Sequence, residues 1–102
     1  MSKVKVIIKR PDEQYGHVCN ISATLENLQK TVEGYIECVE FEDFVILCNE
    51  EGKIKGLPLN FRLGEFTSIV GTIIVIGRDG EEFADCPIDF KVWKRLVDRW
   101  TV

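Results

Sequence analysis

The chain contains one histidine, one methionine and three prolines, and none of its four cysteines forms a C-x-x-C pair. A structural zinc site draws its ligands from two close pairs. Here only His17 and Cys19 stand near each other, so no metal is expected. Cys19, Cys38, Cys48 and Cys86 fall at spacings of 19, 10 and 38 residues. With no segment directing the chain to an oxidising compartment, they read as reduced thiols packed like small hydrophobes. Cys38 and Cys48 fit that reading best, because both lie in strand-like sequence. A Cys–His nucleophile needs a third group to orient the imidazole, and none can be named for His17 and Cys19. Gly52-Lys-Ile-Lys-Gly56 lacks both the spacing of a phosphate loop and the hydroxyl residue after its lysine. The pairs Glu50-Glu51 and Glu81-Glu82 occupy turn sequence, where carboxylates meet solvent. The expectation is therefore no catalytic residue, no metal and no cofactor, and hence no enzyme.

Long apolar runs are missing too. None approaches the roughly 20 residues of a membrane-spanning helix, and the N-terminus has no apolar core of a secretory signal. This predicts a cytoplasmic protein with no membrane partner. Basic charge is scarce: thirteen Lys and Arg stand against seventeen Asp and Glu, for a net charge of −4. Duplex nucleic acid needs a basic field, so it is not an expected partner.

What remains is a chain of 102 residues, 45% hydrophobic and 29% charged, enough for a single domain over 1–102. Residues 3–9 begin with polar/apolar alternation and are rich in β-branched side chains, which predicts a strand ended by Pro11. Residues 14–20 read as a loop. Ile21, Leu25, Leu28 and Val32 share one helical face, with Ser22 placed to cap the start and Gly34 the end. Two β-prone runs, 35–41 and 44–49, flank Glu42-Asp43 and predict a hairpin. If Phe41 faces Phe44, then Val39 faces Ile46 and Glu37 faces Cys48. Both faces of this hairpin are then largely apolar, as in a strand pair at the middle of a sheet.

Residues 53–62 look irregular. Residues 69–76, Ile-Val-Gly-Thr-Ile-Ile-Val-Ile, read as one central strand stopped by Gly77-Arg-Asp-Gly80. Pro87 suits a first helical turn, and Phe90, Trp93, Leu96, Val97 and Trp100 then mark the apolar face of a helix over about 87–100. The order β-α-β-β-β-α predicts an α+β domain with two helices and a mainly antiparallel sheet of about four strands. The segment 3–9 reads as a sheet edge. That edge and the two tryptophans permit a homodimer.

Charge is segregated along the chain. Residues 33–51 hold seven acids (Glu33, Glu37, Glu40, Glu42, Asp43, Glu50 and Glu51) and no Lys or Arg. Residues 1–10 hold four bases and no acid, and residues 52–62 hold Lys53, Lys55 and Arg62. The bland reading is solvated surface that keeps the protein in solution. The functional one is a loop where cations and Phe61 meet an anionic, partly aromatic ligand such as a nucleotide.

Gly34-Tyr35-Ile36-Glu37, Asn49-Glu50-Glu51-Gly52-Lys53, Leu57-Pro58-x-Asn60 and Ile69-Val70-Gly71 together carry a further signal. The run resembles an uncharacterised small domain family of phages, prophages and conjugative elements of Gram-positive bacteria. The resemblance covers residues 24–78 and implies a fold and a setting, a mobile element in a bacterial cytoplasm. It implies no activity. Its signature positions here are Asn49, Glu50, Glu51, Gly52, Lys53, Pro58 and Asn60. The asparagines either hold the loop through backbone bonds or display their amides to a ligand.

Two functional readings result. One is a non-catalytic binding module acting on a protein of the host or the element. The other is a sponge that sequesters a nucleotide-derived immune signal of the host. The candidate contacts for partner or ligand are Asn49, Glu50, Glu51, Lys53, Lys55, Asn60, Phe61 and Arg62.

Overall fold

Strand-forming sequence alternates here with turns that return each strand beside its neighbour, and the pairing is antiparallel throughout. The computed structural model describes residues 3–65 and 67–100. The two residues at each end, counted in the expected single domain of 1–102, lie outside them. Among the described residues the elements are β1 (Val4–Lys9), β2 (His17–Ile21), α1 (Leu25–Val32), β3 (Ile36–Glu40), β4 (Val45–Asn49), β5 (Leu59–Leu63), β6 (Thr67–Val70), β7 (Ile73–Asp79), β8 (Glu82–Ala84) and α2 (Phe90–Trp100). The main sheet runs β2-β1-β7-β4-β3, with β8 also paired to β7, while β5 and β6 form a separate hairpin. This is the expected α+β class, with two helices and more strands than the sequence suggested.

The sheet carries a core on each face. On one side Val6, Ile8, Val45, Leu47, Ile74 and Ile76 pack with Leu28 and Val32 of α1. On the other, Ile7, Phe44, Ile46, Cys48, Ile73 and Val75 pack with Phe61 and Ile69 of the small hairpin and Trp93 and Val97 of α2. Trp93 is fully buried, its indole N–H donating to Tyr15 O at 2.8 Å. Trp100 is half-buried and stacks on Phe61 with ring centroids 5.3 Å apart. The two tryptophans thus belong to the core face of α2.

The hairpin register is the expected one, with Val39 opposite Ile46 and Glu37 opposite Cys48. Only half of it is central, however. β4 is buried along its whole length, whereas β3 is the edge of the sheet and Cys38 is exposed. Several other expectations are corrected. The segment 3–9 is not an edge: β1 lies between β2 and β7. Residues 17–21 form β2 because they pair with β1 from Ile8 opposite His17 to Val4 opposite Ile21. Part of the irregular stretch 53–62 is β5.

The apolar run 69–76 is two strands in two sheets. Gly71, at φ +76°, turns the chain between β6 and β7, and a Cβ there would approach Leu57 Cδ1 to 2.8 Å. In α1 the capping residue is Thr24, whose hydroxyl accepts from Asn27 N at 3.2 Å, and the left-handed end residue is Glu33 at φ 64°. Gly34 is needed for proximity instead, since a Cβ would meet Asn49 Nδ2 at 2.6 Å. Finally, Pro87 precedes α2, which starts at Phe90. Among the described residues no helix is long and apolar enough to cross a membrane.

Candidate functional site

The loop between β4 and β5 is tied down by its asparagines. Asn49 is buried; its side-chain amide donates to Val32 O and Glu33 O at 3.0 and 3.1 Å, and its oxygen accepts from Glu51 N at 2.8 Å. One side chain thereby joins the end of α1 to the start of the loop. Asn60, on β5, ties the far end of the loop to β1 and to the turn between β6 and β7. It donates to Lys9 O and Gly71 O, both at 2.8 Å, and its oxygen accepts from Lys9 Nζ at 2.7 Å. Lys9 is only 2% exposed, and burial lowers its pKa against the opposing pull of Glu13 and Asp12. Such a cation is tolerated because oxygen acceptors replace water around it.

Phe61 is 2% exposed in the aromatic cluster with Trp93 and Trp100. Glu50, Glu51, Lys53, Lys55 and Arg62 remain at the surface. The structure does not bring these five together. Glu50 and Lys53 line a groove of about 320 Å³. Lys55 instead lies beside Gly34, its Nζ 3.2 Å from where a Cβ would stand. Arg62 sits on β5, opposite Ser68 of β6.

The groove runs between the sheet edge and the small hairpin. Glu37 and Val39 of β3, Cys48 and Asn49 of β4, Lys53 and Ile54 of the loop and Thr67–Val70 of β6 line it. Val39, Cys48, Ile69 and Val70 give it an apolar part beside polar Asn49, Thr67 and Ser68, and two carboxylates and one ammonium border it. Ile54 is 87% exposed at this border, and Tyr35, 66% exposed, lies in the same side-chain row as Glu37 and Val39. A lone isoleucine between two lysines in a polar loop was the signal available in the sequence. Glu37, Val39, Thr67 and Ser68 gave none, because their nearness depends on the folded hairpins. A wider, open depression of about 610 Å³ between the start of α1 and the β7–β8 turn holds none of the candidate residues.

His17 Nδ1 lies 3.3 Å from Glu13 Oε2. Burial raises the thiol pKa of Cys19, Cys86 and, to about 11, Cys48, the reverse of what a nucleophilic thiolate needs. Among the described residues no group of three or more His, Cys, Asp or Glu side chains is placed to hold a metal ion.

Fold and groove together define a small α+β domain that presents a charged sheet edge beside a partly apolar furrow. The chain belongs to the DUF3846 family, a domain of unknown function, whose family model matches residues 4–100. The match takes in α2, so the tryptophan helix is part of the family domain, beyond the 24–78 covered by the resemblance. No curated protein and no solved structure matches the chain.

Proposed function

We propose that this domain is a non-catalytic binding module that acts on a protein partner through the groove between β3 and β6. The observation that carries this reading is the pairing of exposed Ile54 and Tyr35 and the apolar lining residues Val39, Cys48 and Ile69 with charged Glu37, Glu50 and Lys53. Large apolar side chains rimmed by charge are the surface composition of a protein interface. The signature from Asn49 to Lys53 supports a setting in a phage or other mobile element, and with it the bacterial cytoplasm and a partner from host or element. Duplex nucleic acid and membrane fit this acidic surface poorly.

The sponge reading has less support. It needs an aromatic platform among cations, yet Phe61 is enclosed by tryptophans, and Lys53 and Lys55 border different neighbours. A thermal-shift panel of cyclic and ADP-ribose-type nucleotides tests it. Saturation at 100 times Kd stabilises a fold by roughly 2.7 kcal/mol, and the expectation here is no shift.

The binding reading is tested by placing a photo-crosslinking side chain at Ile54, with exposed Val92 on α2 as the control position. The expected outcome is a discrete adduct at Ile54 alone. The partner so identified, once purified, binds the native domain and binds Ile54→Asp at least tenfold more weakly. Equal adducts at both positions, or undiminished binding by Ile54→Asp, overturns the assignment.

A further inference from the structure

Building on the protein-binding reading above, we infer that β3 receives an extended Lys- or Arg-bearing segment of the partner as an added strand. The first ground is the ladder. Bonds from Phe41 N to Phe44 O at 2.9 Å and from Glu50 N to Tyr35 O at 2.8 Å fix the hydrogen-bonded pairs at both ends of the β3–β4 register. Antiparallel pairs alternate, so Glu37 and Val39 also turn their backbone groups toward β4. The N–H and C=O groups of Ile36, Cys38 and Glu40 therefore face outward, and no neighbouring strand among the described residues takes them up. The strand has no register shift and no proline, so its ladder is open, and the charge that guards it is the acidic charge of Glu37 and Glu40.

The second ground is charge. Glu37 and Glu40 lie on β3, Glu33 precedes it, and Glu42 and Asp43 form its turn, with Arg78 meeting Glu40 at 2.7 Å. The opposite edge, β2, carries no acidic or cationic Asp, Glu, Lys or Arg and lies against Lys5 of β1. Charge thus separates the two edges, and it repels the β3 edge of a second copy while attracting a basic strand. The third ground is the groove beside β3. Alternate side chains of an added strand project over Val39, Cys48 and Ile69, and a lysine stem laid on them brings its ammonium to Glu37 and Glu50.

The probe is a labelled nonapeptide of alternating Lys and Thr, compared by fluorescence anisotropy with the same peptide carrying Glu for Lys. The expected result is a preference of at least tenfold for the Lys peptide that shrinks as salt rises. Glu37→Lys is expected to weaken binding roughly tenfold. Cys38→Pro removes an outward N–H while sparing the β4 ladder, and abolishes binding with the melting temperature preserved. Should that variant unfold, hydrogen exchange on the native protein decides, with the amides of Ile36, Cys38 and Glu40 slowed by the Lys peptide. Equal affinity for both peptides, indifference to Glu37→Lys, or slowing confined to β2 overturns the inference. Self-association through β3 that the Lys peptide does not reverse overturns it as well. If neither peptide binds yet the Ile54 adduct still forms and passes its test, strand addition fails while the binding module stands.

Discussion

At the scale of single residues, the two asparagines and the cysteines show how little a side chain's type reveals without its neighbours. Asn60→Ala strips the carbonyls of Lys9 and Gly71 of their amide donor and leaves the Lys9 ammonium only its longer bond to the Asn60 backbone carbonyl at 3.4 Å. Each stranded buried group costs about 1–3 kcal/mol, so denaturant melts are expected to show a loss of about 3 kcal/mol or more. The choice between a structural and a displayed amide was undecidable from sequence, because the partner of Asn60 lies 51 residues away. Lys9 was hidden in the same way, since the alternation of 3–9 sets it in one row with Lys3 and Lys5 and only the structure buries it. The cysteines divide by exposure. At pH 8 a thiol reagent is expected to modify Cys38 rapidly and half-buried Cys19 slowly, and to reach Cys48 and Cys86 only in denaturant. Fast labelling of two or more sites in the native protein contradicts this placement.

At the scale of elements, backbone conformation explains both the successes and the misses of sequence reading. The β3–β4 register was legible because a two-residue connection leaves few alternatives, and alternation did the rest. The break at Gly71 was hidden. Apolar residues on both sides of it suit a buried strand equally well, and only the left-handed φ and the close approach of Leu57 reveal the turn. Gly71→Ala is therefore expected to cost about 2 kcal/mol, from the strained φ and the Leu57 contact. Glu33 is the converse case, a residue with a Cβ in the left-handed region at φ 64°. Glu33→Gly relieves that strain and is expected to gain about 0.5–1 kcal/mol in the same melts. A loss at position 33 would mean that its side chain holds the loop in a way the backbone does not disclose. β2 escaped detection for another reason: His17-Val-Cys-Asn-Ile21 has weak strand preference and forms by pairing along β1.

At the scale of the whole molecule, the two cores place ionisable groups where water cannot reach them, and this predicts opposing pH dependences. The candidate groove was only half legible in advance for the same architectural reason. Glu50 and Lys53 come from one loop, but the opposite walls come from β3 and β6, brought together by packing over β4. Cys48 lies in one of those cores with its pKa raised by burial from 9.0 to about 11. The folded state then binds more protons than the unfolded chain between these values, so its stability falls as pH rises through them. At about 1 kcal/mol per pH unit or slightly more, the loss is on the order of 2–3 kcal/mol. Lys9 acts in the other sense. Burial lowers its folded pKa below 10.5, so the penalty for a buried ammonium is complete at neutral pH and fades as pH climbs toward 10.5. Two single substitutions separate these contributions in chemical melts from pH 7 to 11. Cys48→Ala is expected to make the alkaline fall shallower, because Cys86 and Cys19, also raised by burial, still oppose the Lys9 contribution. Lys9→Met, which keeps the stem and removes the ammonium, is expected to leave one that only falls. Unchanged slopes in both variants would mean that neither group is desolvated as the two-faced core requires.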